Sequence, residues 1–225
     1  VVLTLTHLVL PPTQATSAAG RRSLTAQNAA GALANLTIDN LANRAEALHA
    51  QAVPPLVSLL RADCGGAADA ARALHNICFQ DGRAKAVVGE AGGIGRLVAL
   101  LESRHAEVAA LTLWTLVASS LPNKLALLNT ACGLPRLAAL TKPGPASAVA
   151  RMAAGALGEY RAWPGGGVSA ALREGIPAPL VSAPHEAILS AGGVASLVAM
   201  LHAAPEATFG VECVAGGAPR RHGSN

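Results

Sequence analysis

Glycine residues are concentrated in one short stretch of the chain, between Gly89 and Gly95. Backbone N–H groups in such a stretch can approach a pyrophosphate closely where a strand turns into the N-terminus of a helix. The matching chemistry is that of a nucleotide-dependent oxidoreductase. A dinucleotide site also requires a preceding strand and βαβ surroundings, whereas the upstream residues 82–86 predict the start of a helix. We therefore expect these glycines to turn the chain between helices, with the oxidoreductase as the alternative.

Other residue combinations could also support catalysis. Short-chain dehydrogenases pair a tyrosine with a lysine four residues later, but the only tyrosine, Tyr160, is followed at that spacing by Pro164. Ser58, His75 and Asp69 provide the residue types of a hydrolytic triad, yet the sequence lacks the G-x-S-x-G pattern of a nucleophile elbow,. No two histidines have the helical spacing that zinc ligands need,. We predict a protein that is not an enzyme and holds no cofactor or metal.

The composition favours helices. Of the 225 residues, 52% are hydrophobic, 13% are charged and only 2% are aromatic, so alanine, leucine and valine must fill the core,. Alanine and leucine are strong helix formers, and the sequence therefore predicts an all-α protein. The formal net charge is +4, but basic residues cluster only at Arg21-Arg22 and at residues 220–222. Nucleic-acid binding requires a basic stripe, so we expect no nucleic-acid partner.

The cysteines and the apolar start of the chain bear on location. Cys64, Cys78, Cys132 and Cys213 show no C-x-x-C spacing and are too sparse for a disulfide scaffold,. They are typical of reduced packing residues in an intracellular protein, cytoplasmic or nuclear. Residues 1–10 are apolar but too few for a bilayer, which needs about 20. We expect them to form part of a helix of a larger chain or assembly, without direct membrane insertion.

A pattern of helices recurs at intervals of about forty residues, which indicates a solenoid. Val53, Ile94 and Leu134 occupy equivalent positions, 41 and 40 residues apart, at the start of a second helix. A short first helix precedes each of them, and Gly92 and Gly133 are expected to permit the tight turn between the two. One such unit cannot bury its own apolar faces, so successive units must stack.

A longer third helix completes each unit. These helices are predicted at residues 26–36, 67–78, 107–119 and 148–160. Aligned leucines recur in them at steps of 41, 42 and 41 residues, namely Leu33, Leu74, Leu116 and Leu157.

This unit resembles the armadillo repeat, which has a short helix, a glycine-containing turn, a second helix often beginning with proline, and a long third helix. Residues 90–101 (EAGGIGRLVALL) look like its first-to-second-helix junction, and residues 29–36 (AAGALANL) look like its third helix. The resemblance implies an all-α, right-handed α-α superhelix of three-helix repeats. It also implies a scaffold that binds a protein or extended peptide along its concave third-helix surface.

The same comparison divides the chain. We expect a partial repeat helix and loop at residues 1–22, armadillo-like repeats at 23–160, degenerate or truncated repeats at 161–215 and a disordered tail at 216–225. In the third segment, two predicted second-helix starts, Ile176 and Val194, are only 18 residues apart. Either one unit is truncated there or a segment has been lost.

The resemblance implies binding residues as well. In armadillo proteins the third helix often presents a tryptophan and, four residues later, an asparagine that clamps a peptide backbone. No unit of this chain has both residues at the aligned positions, and arginines in the groove would repel a basic peptide,. The predicted groove residues are Asn35, Arg72, Asn76, Trp114, Arg151 and Glu159.

Overall fold

The computed structural model describes residues 19–160 and 179–202. Within those ranges the chain forms twelve α-helices and no strand, which confirms the all-α prediction. In chain order they are α1 (Ala19–Leu36), α2 (Leu41–His49), α3 (Val53–Ser58), α4 (Ala67–Cys78), α5 (Gly82–Glu90), α6 (Gly93–Leu100), α7 (Ala106–Val117), α8 (Leu121–Asn129), α9 (Gly133–Leu140), α10 (Ala148–Gly158), α11 (Pro179–Ser190) and α12 (Gly193–His202).

The remaining residues, 1–18, 161–178 and 203–225, lie outside the described part of the chain. The predictions for the partial first helix, for Ile176 and for the tail fall there. Helix α1 begins at Ala19, within the segment predicted as a partial repeat helix and loop. None of the described helices is long and apolar enough to cross a membrane.

The helices build three complete units, each with a first, a second and a third helix. The units are α2–α4, α5–α7 and α8–α10, with α1 as the third helix of a preceding unit. The third helices pack side by side in the order α1, α4, α7, α10. This stacking gives the chain one elongated core, as a solenoid requires.

Each first helix begins after a sharp backbone turn. Asp39, Gln80 and Ser119 all have positive φ values, between 45° and 61°, and each directly precedes the N-cap of a first helix. At the first two N-caps a side chain accepts bonds from the first turn: Asn40 from the backbone N–H of Asn43, and Asp81 from those of Arg83 and Ala84. A side-chain oxygen at this position satisfies donors that have no partner within the helix.

The turn between first and second helices has a left-handed residue, but the glycine prediction is only half right. Gly92 has φ +75° as expected, whereas in the next unit Cys132, not Gly133, has the positive φ of 60°. Gly133 is instead the first residue of α9, and a Cβ atom there would lie 2.7 Å from the carbonyl oxygen of Leu127. Gly93 has the same role, since its Cβ would lie 2.9 Å from the oxygen of Val88. Glycine thus serves the close approach of two helices.

Helix α11 lies in the segment predicted as degenerate or truncated repeats. It leads through Gly192, with φ +73°, into α12, as α5 leads through Gly92 into α6. Helix α11 also packs against α9, the second helix of the preceding unit, as α8 packs against α6. Residues 179–190 therefore have the place of the first helix of a further unit.

The register of the third helices also differs from the predicted one. Helices α4 and α7 both have 12 residues, and their first residues, 67 and 106, are 39 positions apart. The buried residue Leu74 therefore corresponds to the buried Leu113, and the predicted equivalence with Leu116 is wrong by three residues. Because three residues are nearly one helical turn, both leucines lie on the buried face.

Candidate functional site

A groove of about 510 Å³ lies between two consecutive third helices, α4 and α7. Its lining is mainly apolar and combines the C-terminal parts of these helices with residues that follow them. The lining residues are His75, Phe79, Gln80, Gly82, Lys85, Leu111, Trp114, Thr115, Ala118 and Ser119. The stacking of two units thus forms a concave site that neither unit has alone.

One hydrogen bond joins the two walls of the groove. His75 Nδ1 lies 2.6 Å from Thr115 Oγ1, and the Thr115 hydroxyl is 3.2 Å from the carbonyl oxygen of Leu111, to which it donates. His75 Nδ1 and Thr115 Oγ1 thus share one hydrogen bond, whose direction follows from the imidazole tautomer,. Burial lowers the pKa of His75, and the nearby Arg44 guanidinium lowers it further. The imidazole is accordingly neutral at neutral pH.

Phe79 forms the outer edge of the groove. Its side chain follows the end of α4 and remains 45% exposed. The Arg44 guanidinium carbon lies 5.5 Å from the ring centroid, and the His75 ring lies 6.1 Å away at an angle of 54°. A cation over the ring face and a tilted neighbouring ring both hold the phenyl group in place.

Lys85 brings a positive charge to the floor. Its Nζ donates to the carbonyl oxygen of Ala118 at 2.7 Å, and only 8% of the residue is exposed. Burial lowers the pKa of the Lys85 ammonium, while the more distant Glu159 and Asp81 oppose that shift. The groove therefore combines aromatic walls with a desolvated cation.

Comparison with known proteins identifies the repeat. The Armadillo/beta-catenin-like repeat matches residues 40–79, which contain α2, α3 and α4. A solved designed armadillo repeat protein, YIII(Dq)4CqI, superposes with a TM-score of 0.70 at 20% identity, over 92% of this chain and 76% of that chain. Residues 40–79 thus form an armadillo-type repeat, and the fold of the chain is that of an armadillo solenoid. No curated protein matches it significantly.

Two further solved structures are similar in fold. An engineered protein has a TM-score of 0.63 at 24% identity, over 91% of this chain and 90% of its own. A designed armadillo repeat protein, YIII(Dq.V1)4CPAF, was solved in complex with the peptide (KR)4. It has a TM-score of 0.61 at 20% identity and covers 88% of this chain and 81% of its own.

The armadillo register in the structure reassigns the predicted site positions. With an offset of 39 between α4 and α7, Trp114 corresponds to His75, and Thr115, not Ala118, corresponds to Asn76. Two hydrogen bonds support this register, because each connects a third helix to the preceding one. The Asn76 side chain bonds to the carbonyl oxygen of Ala34, and the Thr115 hydroxyl bonds to the His75 ring.

Two of the predicted residues meet in the armadillo solenoid. Trp114 Nε1 donates to Glu159 Oε1 at 3.4 Å, and Glu159 Oε2 lies 3.8 Å from Lys124 Nζ. The indole packs on α10 where a Cβ atom at Gly155 would lie 2.6 Å from Trp114 Cδ2. Trp114 is thus half-buried, with its polar edge directed to the next unit.

The two asparagines differ in their surroundings. Asn35 is exposed on α1. Asn76 Nδ2 donates to the carbonyl oxygen of Ala34 at 2.8 Å and to Thr37 Oγ1 at 3.3 Å. The Asn76 amide therefore connects α4 to the preceding third helix, and its Oδ1 is the atom left to accept a bond from a partner.

The two arginines lie away from the aromatic groove. Arg72 pairs with Asp69 on its own helix and lines a second depression of about 330 Å³, together with Arg104 and Leu111. Leu111 lines both depressions, so they meet along α7. Arg151 is exposed and donates to the carbonyl oxygens of Pro145 and Ala146, at 2.8 and 3.1 Å.

Of the residues that line the groove, sequence reasoning predicted only Trp114. Four of those it missed carry the polar and aromatic chemistry, namely His75, Phe79, Lys85 and Thr115, and none of them occupies the tryptophan or asparagine position of the alignment made from sequence. The available signal was spacing: His75 and Thr115 are 40 residues apart, close to one repeat.

The glycine-rich stretch is a helix junction in this armadillo chain. It follows α5, whose last residue is Glu90, and enters α6 at Gly93. The strand that a dinucleotide-binding turn requires is therefore replaced by a helix.

Proposed function

We propose that this chain is a non-catalytic protein–protein interaction module that holds an extended segment of a partner along its third helices. The observation that supports it is the aromatic groove between α4 and α7. Large aromatic side chains that are only partly buried carry much of the binding energy at protein interfaces. Phe79 and Trp114 have this character, and the groove opens to solvent between them.

The dimensions suit an extended segment. Packed helices lie about 10 Å apart and an extended chain advances about 3.3 Å per residue, so about three partner residues would cross each third helix. The aromatic groove and the second depression are continuous at Leu111. Asn35 and Asn76 Oδ1 offer hydrogen bonds to the partner backbone from the neighbouring helices.

The remaining expectations follow the same proposal. Exposed Cys132 and half-buried Cys64 are free thiols, which suits a reducing compartment such as the cytoplasm or nucleus. The partner is a protein or an extended peptide and not a nucleic acid. The chain would meet this partner as part of a larger chain or assembly.

A random-peptide library displayed on phage tests the proposal. We expect selection on the purified chain to enrich a consensus sequence, and Trp114→Ala to abolish the enrichment because it removes the largest apolar contact. Arg96→Ala is the matched control, since Arg96 is exposed on α6, outside both depressions. Far-ultraviolet circular dichroism checks that both variants stay helical. Equal enrichment with Trp114→Ala would remove the groove assignment.

A further inference from the structure

Three cations occupy the same position in successive units. Arg44, Lys85 and Lys124 are each the fourth residue of a first helix, in α2, α5 and α8. Lys85 and Lys124 each donate to the carbonyl oxygen of the C-cap residue of the third helix of their own unit, whereas Arg44 donates to that of the residue that follows the third helix of the preceding unit. The acceptors are Thr37 at 2.9 Å, Ala118 at 2.7 Å and Glu159 at 2.6 Å.

Two of these cations have a carboxylate beside them. Arg44 Nη2 lies 3.8 Å from Asp39 Oδ1, and Lys124 Nζ lies 3.8 Å from Glu159 Oε2. Lys85 has no carboxylate oxygen within 4.0 Å among the residues that the structure describes. The repeat thus leaves one cation of three without a close counter-ion.

The cause is a single residue. Glu159 gives Lys124 both its backbone oxygen and its carboxylate, whereas the residue that gives Lys85 its backbone oxygen is Ala118. The methyl group of Ala118 therefore stands where the next unit has the carboxylate of Glu159. Ala118 and Lys85 both line the aromatic groove, so the vacant position opens onto it.

A buried ammonium with no carboxylate in direct contact favours an anionic ligand. Lys85 is 8% exposed and makes one hydrogen bond to a neutral carbonyl, although an ammonium has three donors,. A buried charge is stabilised by a hydrogen-bonded partner of opposite charge. Arg44, 5.5 Å from the ring of Phe79, adds a second positive charge near the groove.

We propose that the groove selects an acidic peptide: a glutamate or aspartate side chain of the partner reaches Lys85 in the place that Glu159 fills one unit later. An apolar residue next to that carboxylate packs on Trp114 and Phe79. This inference rests on the proposed function and specifies the ligand that the groove takes. It also sets this chain apart from its solved neighbour, whose complex contains the peptide (KR)4.

Three synthetic peptides test the preference by fluorescence anisotropy. Each has two leucines flanked on both sides by two glutamates, two glutamines or two lysines. We expect the glutamate peptide to bind about tenfold more tightly than the glutamine peptide, because a charged hydrogen bond in a desolvated site is worth about one such factor. The lysine peptide binds most weakly, since Lys85 and Arg44 repel it.

Variants at one position provide the matched control. Ala118→Glu supplies the missing carboxylate within the chain, so the glutamate peptide should lose its tenfold advantage. Ala118→Gln adds nearly the same volume without charge and should retain that advantage. Lys85→Met removes the cation and should also abolish it, which keeps the test valid if Ala118→Glu fails to fold by circular dichroism.

The outcomes separate this inference from the proposed function. Equal binding of all three peptides, lost in Trp114→Ala, would overturn the acidic preference and leave the groove assignment standing. A preference for glutamate that survives in both Ala118→Glu and Lys85→Met would overturn the role of Lys85. Binding of none of the peptides would also overturn the inference, and the phage selection then decides the proposed function by itself.

Discussion

Thr115 Oγ1 lies 2.6 Å from His75 Nδ1, and this bond connects the third helices of two consecutive units. Both side chains are half-buried and line the aromatic groove. The same pair therefore contributes to stacking and to the shape of the binding surface. A solenoid is stabilised by interfaces of this kind between neighbouring units.

Thr115→Val should destabilise the chain by about 1–3 kcal/mol. The substitution keeps the side-chain shape but leaves the half-buried Nδ1 of His75 without its hydrogen-bond partner,. Urea unfolding followed by circular dichroism measures the change. Thr130→Val is the control, because the Thr130 hydroxyl bonds only to Ala126 within its own helix region. Equal losses in both variants would show that the contact between units contributes nothing.

The same histidine predicts a pH dependence. Burial lowers the pKa of His75 below its ordinary value of 6.5, and Arg44 lowers it further. The unfolded chain therefore binds a proton at His75 more readily than the folded chain. The stabilisation that comes from neutral His75 is complete above the ordinary pKa of histidine and is lost as the pH falls through the lower pKa of the folded state. We expect the free energy of unfolding to fall more steeply with acidification in the native chain than in His75→Asn. Identical slopes for the two proteins would contradict the assignment.

The two asparagines at equivalent positions should respond differently to substitution. Asn76→Ala removes two hydrogen bonds to α1 and its following turn, and should cost about 1 kcal/mol or more,. Asn35→Ala alters an exposed side chain and should change stability by no more than about 0.5 kcal/mol,. Thermal unfolding of the two variants gives the comparison. A larger loss for Asn35→Ala would rule out the interhelical role of Asn76.

The cysteines provide a chemical test of burial. Desolvation raises the pKa of the Cys78 thiol to about 12, whereas Cys132 is exposed in the turn before α9. Since the thiolate is the reactive form, iodoacetamide should modify Cys132 in the native chain and spare Cys78 until denaturant is added. Peptide mass mapping distinguishes the two sites. Rapid modification of Cys78 in the native chain would mean that α4 opens locally.

The repeat and its helices could be predicted from sequence because their signals are local. The bounds of α4, residues 67–78, agree with the prediction, since alanine and leucine recur there at helical spacing. The register of α7 could not be found in this way. Leu113 and Leu116 are three residues apart and both fully buried, so either fits the leucine pattern,.

The groove was predictable only in part, because its chemistry depends on contacts between units. A lysine in a short helix is usually exposed. Lys85, however, donates to the carbonyl oxygen of Ala118 at the end of α7, and its side chain is buried there. No local pattern indicates that acceptor, which is 33 residues away. Trp114 was identified because its residue type is informative by itself, whereas Thr115 acquires its role only from His75.

Two glycines should respond in opposite directions when each is replaced by alanine. Gly133→Ala places a Cβ atom 2.7 Å from the backbone oxygen of Leu127, so α8 and α9 must separate, at a cost of about 1–3 kcal/mol,. Gly95 lies within α6 with no heavy atom within 4 Å of the added Cβ, and alanine there should stabilise the helix by about 0.5–1 kcal/mol,. Denaturant unfolding of the single variants measures both effects. If both substitutions stabilised the chain, the glycine at the start of α9 would be there for a reason other than helix packing.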